Sequence, residues 1–163
     1  MSLVVQLRAG SGRWTTYSLR SRIKAFYVYG HEFYSVAIKT GSPLVKYYLI
    51  GHAFELFLKT YLLYSGKSAS TLKSRPLGHN LRMLFEECVT RGLADHFQVS
   101  VELKSDVTAF TDVYATKKLE YFSLFDLIDP PSLPDMSRLC RFVALLDRKL
   151  LVIVTPRTQE HSR

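Results

Sequence analysis

The sequence predicts an all-α fold, an up-and-down bundle of about five helices. Apolar residues recur at intervals of three and four along most of the chain, which is the period of an amphipathic helix. Gly and Ser-Pro residues fall between the apolar stretches, where helices end and begin. No internal repeat or low-complexity block divides the 163 residues. A chain of this length is most simply one domain, able to bury about 68–70% of its unfolded surface.

The first two helices are delimited by Gly and Pro. An apolar stripe predicts the first helix at about residues 21–40, and Gly41 is a natural C-terminal stop. Ser42 and Pro43 provide an N-cap and a first helical residue for the second helix. This helix is expected to run to about Ser65, and it is the most apolar stretch of the chain.

Three further helices are predicted, separated by irregular segments. Residues 66–78 contain Gly, Ser and Pro and are expected to form a loop. The third helix is expected at residues 80–91 and the fourth at residues 99–118. Residues 119–134 end in a proline cluster and predict an extended connector. The last helix is expected at residues 135–151.

The ends of the chain differ from its middle. Residues 1–17 are polar and contain Gly, so we expect an irregular basic N-terminal segment before the bundle at 18–152 and a polar tail at 153–163. The net charge of +8 comes from residues 1–24, with five basic and no acidic side chains, and from the C-terminal 29 residues, with six and three. This distribution favours an anionic partner, nucleic acid first, because bound Lys and Arg release the counterions of phosphates. A solvated tail that only keeps the protein soluble is the alternative.

Several protein classes do not fit the sequence. No apolar run reaches the roughly 18 residues of a membrane span, and the N-terminus is unlike a signal peptide. We therefore expect a cytoplasmic protein that is not in a membrane. Cys88 and Cys140 each lie in an apolar helical pattern, which predicts two reduced core cysteines instead of a disulfide or a zinc site. No cofactor is expected.

The stretch GHAFELFLK places three polar side chains on an otherwise apolar helix. At 100° per residue, His52, Glu55 and Lys59 share one narrow stripe bordered by leucines. Enclosed charges are costly unless they are paired, and Glu55 precedes Lys59 by four residues, the favourable order. Lys59, one turn after Glu55 in this stripe, would repel a cation, so no metal site is expected.

Two interpretations of this stripe remain open. It can be a self-satisfied ladder that fixes the register of the bundle. It can also line a cleft, with His52 moving protons and Lys59 holding an anion. His79, in LGHNL at the start of the third helix, would add a second histidine to such a polar site. His31, in the middle of the first helix, is interpreted as structural.

Two segments, YLIGHAFELFLKTYLLYSGKS and LGHNLRMLFEECVTRGL, resemble the HEPN superfamily (higher eukaryotes and prokaryotes nucleotide-binding domain). The resemblance covers about residues 43–93 and is closest to small bacterial members. The matching positions are His52, Glu55, Lys59, Gly78, His79 and Leu81. The resemblance implies a helical bundle that usually dimerises, with family roles that range from RNases of toxin–antitoxin and defence systems to non-catalytic nucleotide- or RNA-associated partners. A homodimer and a cognate antitoxin-like partner are expectations from this resemblance.

The RNase members of the superfamily carry an Arg and, after four to six residues, a His near the start of a late helix. The one such spacing here is Arg91-Gly-Leu-Ala-Asp-His96. Gly92 is typical of the residue that follows a helix, so Arg91 is expected to end a helix and not to lie in its early turns. The candidate catalytic residues are therefore His79, His96 and Arg91, in an arrangement that departs from the family's pattern.

Three functions remain open at this stage. The first is a dimeric nucleotide- or RNA-binding protein without robust catalysis. The second is a metal-independent RNase in which His79 or His96 acts as general base on a ribose 2′-hydroxyl. The third is a structural or interaction protein whose polar ladder only specifies packing. For the first function, the residues expected to contact phosphate are Lys67, Lys73, Arg75 and Arg82.

Overall fold

The chain folds as a bundle of helices. The computed structural model of the protein describes residues 16–74, 77–115 and 135–155. For residues 16 and 17 it describes the backbone only. Every regular element in these ranges is helical, which confirms the predicted fold class. The six α-helices are α1 (Thr16–Ala37), α2 (Pro43–Tyr64), α3 (Ala69–Lys73), α4 (Leu81–Thr90), α5 (Val101–Ala115) and α6 (Ser137–Val154).

Helix α2 occupies the centre of the bundle and packs against α1, α4 and α6. As predicted, Ser42 caps it by accepting a hydrogen bond from the backbone N–H of Val45, and Pro43 is its first residue. Gly66 follows the helix with a φ of +90°, a left-handed conformation that Gly adopts without a steric penalty. Because nearly all sides of α2 are apolar, it can be surrounded by other helices, and most of its residues from 50 to 63 are buried.

The predicted helix boundaries agree with the structure to within a few residues. Helix α1 starts at Thr16, inside the segment expected to be irregular, and ends at Ala37, the last buried residue before an exposed turn. Helix α4 begins after Asn80, whose side chain accepts a hydrogen bond from the N–H of Met83. The expected connector at 119–134 and most of the expected terminal segments lie outside the described residues.

Helix α3 interrupts the segment that the sequence predicts to be a loop, so that prediction is wrong for residues 69–73. The side chain of Ser68 accepts a hydrogen bond from the N–H of Thr71 and caps the helix. Ala69 and Leu72, three residues apart, are both buried. The tertiary contacts of these two side chains outweigh the Ser- and Gly-rich composition around them.

Both cysteines are free thiols, as expected. Cys88 is buried on α4 and donates a weak hydrogen bond to the carbonyl of Leu58, while Cys140 on α6 is partly buried. Burial raises the pKa of the Cys88 thiol well above its usual value, which keeps it protonated. Among the described helices, none has the length and apolarity needed to cross a membrane.

Gly51 permits the rings of Tyr114 and Phe110 from α5 to pack directly against α2. A Cβ atom at this position would lie 2.5 Å from two ring carbons of Tyr114 and 3.1 Å from Phe110. We therefore expect Gly51→Ala to lower the free energy of unfolding by about 1–3 kcal/mol, because Tyr114 must move. Urea denaturation measures this loss. The control is Gly41→Ala, where an added Cβ meets no atom within 4 Å, and equal stability of the two variants would contradict the prediction.

Candidate functional site

A buried carboxylate on α2 is the centre of a polar network. The side chain of Glu55 is only 5% exposed. Lys59, one turn later on the same helix, donates a hydrogen bond to Oε1, and the side chain of this lysine is 10% exposed. The hydroxyl of Tyr114, at the end of α5, donates to Oε2 over 2.9 Å. With His79, described next, three elements of the fold meet at this carboxylate: α2, α5 and the turn before α4.

His79 connects this network to solvent. It lies in the turn before α4, and its Nδ1 is 3.0 Å and 3.2 Å from the two carboxylate oxygens of Glu55. Since a carboxylate only accepts hydrogen bonds, Nδ1 carries the proton in this contact. The imidazole is 83% exposed. The Nε2 atom is therefore the ring nitrogen that can bind a ligand or exchange a proton with one.

His52 joins the network through Tyr114. Its Nδ1 lies 3.1 Å from the Tyr114 hydroxyl oxygen. The single hydroxyl hydrogen goes to Glu55, so His52 is the donor to Tyr114. The ring of Phe33 stacks on His52 at 5.2 Å, and the ring of Tyr48 meets it edge-on at 4.4 Å. These contacts fix His52 among aromatic rings, one turn away from the Glu55 carboxylate.

The charge on Glu55 follows from its neighbours. Burial by itself raises the pKa of this carboxyl group. The Lys59 ammonium, the hydrogen bonds from Lys59 and Tyr114, and the nearby His79 together lower this pKa by a larger amount. The net result is a pKa below the ordinary value of 4.5. Glu55 is therefore ionised at neutral pH and forms a buried ion pair with Lys59.

The structure joins the four predicted residues of the polar site, His52, Glu55, Lys59 and His79. The sequence placed the first three on one stripe of α2, but it could not predict that His79 would reach the level of Glu55. Tyr114 was missed altogether. It is 59 residues from Glu55 in the chain, and the helical pattern around it gives no sign that its hydroxyl is a hydrogen-bond donor in the interior.

Arg91 and His96 do not belong to this network. Arg91 is the C-cap residue of α4, as expected, and Gly92 after it has a φ of +87°. The guanidinium group of Arg91 donates to the carboxylate of Glu87 over 2.7 Å and to the carbonyl of Ser65 over 3.1 Å. These bonds give Arg91 a structural role at the junction of α2 and α4, while His96 is exposed beyond it.

The four residues expected to contact phosphate differ in their surroundings. Lys67 donates to Glu87 over 2.8 Å and is only 19% exposed, so its charge is already neutralised. Lys73, at the end of α3, and Arg82, in the first turn of α4, are both exposed. Arg75 lies outside the described residues.

A second carboxylate–histidine pair occurs between α1 and α6. Asp147 is buried, and its Oδ1 accepts a hydrogen bond from Nδ1 of His31 over 2.9 Å. Burial, the Asp147 charge and a hydrogen bond to it raise the pKa of Tyr27 to about 12, so Tyr27 stays protonated. His31, for which a structural role is expected, therefore pairs with Asp147, a partner that the sequence analysis did not identify.

The arrangement around Glu55 can perform two kinds of chemistry. An imidazole held by a buried carboxylate can bind an anion or act as an acid or base through Nε2. In the part of the chain that the structure describes, no group of three or more His, Cys, Asp or Glu side chains is arranged to hold a metal ion.

Comparisons with known proteins add no relative to this description. No protein-family profile, curated protein or solved structure matches the chain. The HEPN resemblance therefore rests on residues 43–93 of the sequence, and the function has to be argued from the side chains themselves.

Removing the Glu55 carboxylate tests how much the fold depends on it. We expect Glu55→Ala to lower the free energy of unfolding by about 3–5 kcal/mol, because Lys59 would be left buried without its counter-charge. Urea denaturation followed by circular dichroism measures the loss. Glu86→Ala, on the exposed side of α4, is the matched control and should change stability by less than about 0.5 kcal/mol. A Glu55→Ala variant as stable as this control would show that the pair does not hold the bundle.

The lowered pKa of Glu55 predicts how this contribution depends on pH. A carboxyl group whose pKa is lower in the folded protein stabilises it fully above the pKa of the unfolded chain, and the contribution is lost as the pH falls through the folded value. The stability advantage of the wild type over Glu55→Gln should therefore shrink between about pH 5.5 and pH 3. Thermal unfolding of both proteins across this range measures the difference. A constant difference would mean that Glu55 is not the titrating group.

Proposed function

We propose that this chain is a HEPN-like helical protein that binds RNA or a nucleotide through phosphate groups, as a homodimer and without robust catalysis. The observation that carries the proposal is the exposed imidazole of His79, whose Nδ1 is hydrogen-bonded to the buried, ionised Glu55. A histidine fixed in this way presents Nε2 to a ligand with little loss of side-chain entropy.

Two exposed cations flank His79. The turn that contains Gly78 packs on the end of α3, since the N–H of Gly78 donates to the carbonyl of Ser74 over 3.0 Å, and the backbone of Lys73 lies beside this turn. Arg82 follows His79 by three residues and lies in the first turn of α4, where its Nε is 3.9 Å from the exposed carboxylate of Glu86. A histidine, a lysine and an arginine within a few residues of one another form a suitable site for a phosphate group.

The surroundings of the network favour binding over catalysis. The Arg that the RNase members of the superfamily use has its nearest equivalent in Arg91, whose guanidinium already binds Glu87 and Ser65. Lys59 is enclosed and paired with Glu55, so it is poorly placed to stabilise a reacting phosphate. A bound phosphodiester would therefore meet His79 without the help of Arg91 or Lys59.

One observation favours the second candidate, a metal-independent RNase. The Glu55–His79 contact has the geometry of a carboxylate that orients a general base, with Nδ1–H bound and Nε2 available. In that reaction Nε2 would take the proton of the ribose 2′-hydroxyl, and Arg82 would stabilise the charge that develops on the phosphate. His96 is the alternative base.

The third candidate, a structural protein, is supported by the closed inner half of the network, where Lys59 and Tyr114 both bond to Glu55 and His52 bonds to Tyr114. A purely structural role requires nothing of the exposed imidazole. The effect of His79 on RNA affinity therefore distinguishes this candidate from the first.

Binding of a labelled single-stranded RNA, followed by fluorescence anisotropy at several salt concentrations, tests the proposal. We expect His79→Ala to weaken binding, and the double variant Lys73→Ala/Arg82→Ala to make the slope of log K against log [salt] shallower by about 1.4, at about 0.7 per phosphate contact on a single strand. The control pair Lys39→Ala/Lys104→Ala removes the same charge at exposed positions in the turn after α1 and on α5 and should leave the slope unchanged.

Cleavage is measured in the same samples with EDTA present. EDTA-resistant cleavage that is lost in His79→Ala or in His96→Ala would replace the binding proposal with the RNase and would identify the base. Salt-sensitive binding without cleavage supports the proposal. Unchanged affinity in His79→Ala and in the Lys73/Arg82 variant would contradict it and leave a structural role for the network.

A further inference from the structure

Helix α6 divides its residues between the core and a basic outer surface. The core side carries four fully buried residues, Leu139, Val143, Leu146 and Leu150. The opposite side carries residues at intervals of three and four, which places them on one stripe of the helix. This stripe, called here the basic face of α6, consists of Arg138, Arg141, Leu145, Arg148, Lys149 and Val152, all exposed.

Among the residues that the structure describes, acidic side chains compensate only part of the positive charge of this face. The one acidic side chain within α6, Asp147, is buried and binds His31, so its charge is directed inwards. Arg138 donates to Asp106 of α5 over 2.9 Å. Asp135, before the helix, lies near Arg138 and Arg141 and accepts hydrogen bonds from the backbone N–H and the hydroxyl of Ser137. Compensation therefore decreases towards the C-terminal half of the face.

Helix α1 adds basic residues beside that half. His31 contacts Asp147 and so marks the side of α1 that meets α6. Lys24 precedes His31 by seven residues and Arg20 by eleven, which are about two and three helical turns, so both lie on the same side of α1. Both side chains are exposed.

We propose that the basic face of α6, together with Lys24 of α1, binds the phosphodiester backbone of a single-stranded RNA. This inference rests on the proposed function and adds a second contact surface to the one around His79. Arg141 and Arg148 are two turns apart, about 10 Å along the helix, which suits successive contacts along a strand. Guanidinium groups bind phosphate oxygens with two parallel hydrogen bonds, so arginines favour this ligand.

An anionic membrane is the competing ligand for a basic helix, and the packing of α6 argues against it. A helix that lies in a membrane interface inserts a broad apolar side among the lipids. The apolar side of α6 is occupied by the protein core, and the exposed large apolar side chains of this helix are three, Leu145, Leu151 and Val152. The face therefore offers charge without the apolar area that insertion needs.

The double variant Arg141→Gln/Arg148→Gln tests the proposal in the full chain, with fluorescence anisotropy of a labelled single-stranded RNA as the readout. We expect the salt slope to become shallower by about 1.4, as for two phosphate contacts on a single strand. Arg141→Lys/Arg148→Lys should keep most of the slope because the charge remains. The control pair Lys39→Gln/Lys104→Gln should behave like the wild type. Circular dichroism confirms that all variants are folded.

Each outcome decides between the two surfaces. If Arg141→Gln/Arg148→Gln binds RNA like the control pair while Lys73→Ala/Arg82→Ala loses affinity, the inference about α6 is overturned and the proposed function stands. If the wild type does not bind RNA, both are overturned. Wild-type binding to phosphatidylserine vesicles that is lost in the α6 variant, with RNA binding unchanged, would assign this face to a membrane.

Discussion

The buried pair of Glu55 and Lys59 is the constraint around which the bundle is arranged. Two charges in the interior are tolerated only when their remaining hydrogen-bonding positions are satisfied. On Glu55 this is done by Tyr114 from the end of α5 and by His79 from the turn before α4. The pair therefore sets where two other elements of the chain must lie, and Gly51 provides the space for one of them.

The molecule uses the same arrangement twice. A carboxylate inside the bundle, Glu55 or Asp147, holds Nδ1 of a histidine at the surface, His79 or His31. The two differ in accessibility, since the side chain of His79 is 83% exposed and that of His31 is 50% exposed. The Glu55 pair also has a buried lysine, which lowers the pKa of Glu55 and keeps its carboxylate ionised. This difference makes the His79 end the better candidate for ligand chemistry.

The distribution of charge separates structural from accessible cations. Lys59 and Arg91 are each paired with a carboxylate four residues earlier in the chain, and Lys67, just after α2, is paired with Glu87 of α4. The cations on the outer face of α6 and on the adjoining side of α1 have fewer acidic neighbours. Within the part of the chain that the structure describes, the accessible positive charge therefore lies mainly on surfaces that a polyanion can reach.

The sequence by itself determined the all-α class, the N-cap of α2, the glycine that ends α4, and the stripe shared by His52, Glu55 and Lys59. These features depend on the helical period and on local capping, which short stretches of sequence encode. Only the tertiary structure decided that α3 forms and that His79 and Tyr114 reach Glu55. The helical period gives the angle of a side chain around its own axis, but the level at which one helix meets another depends on how the whole core packs.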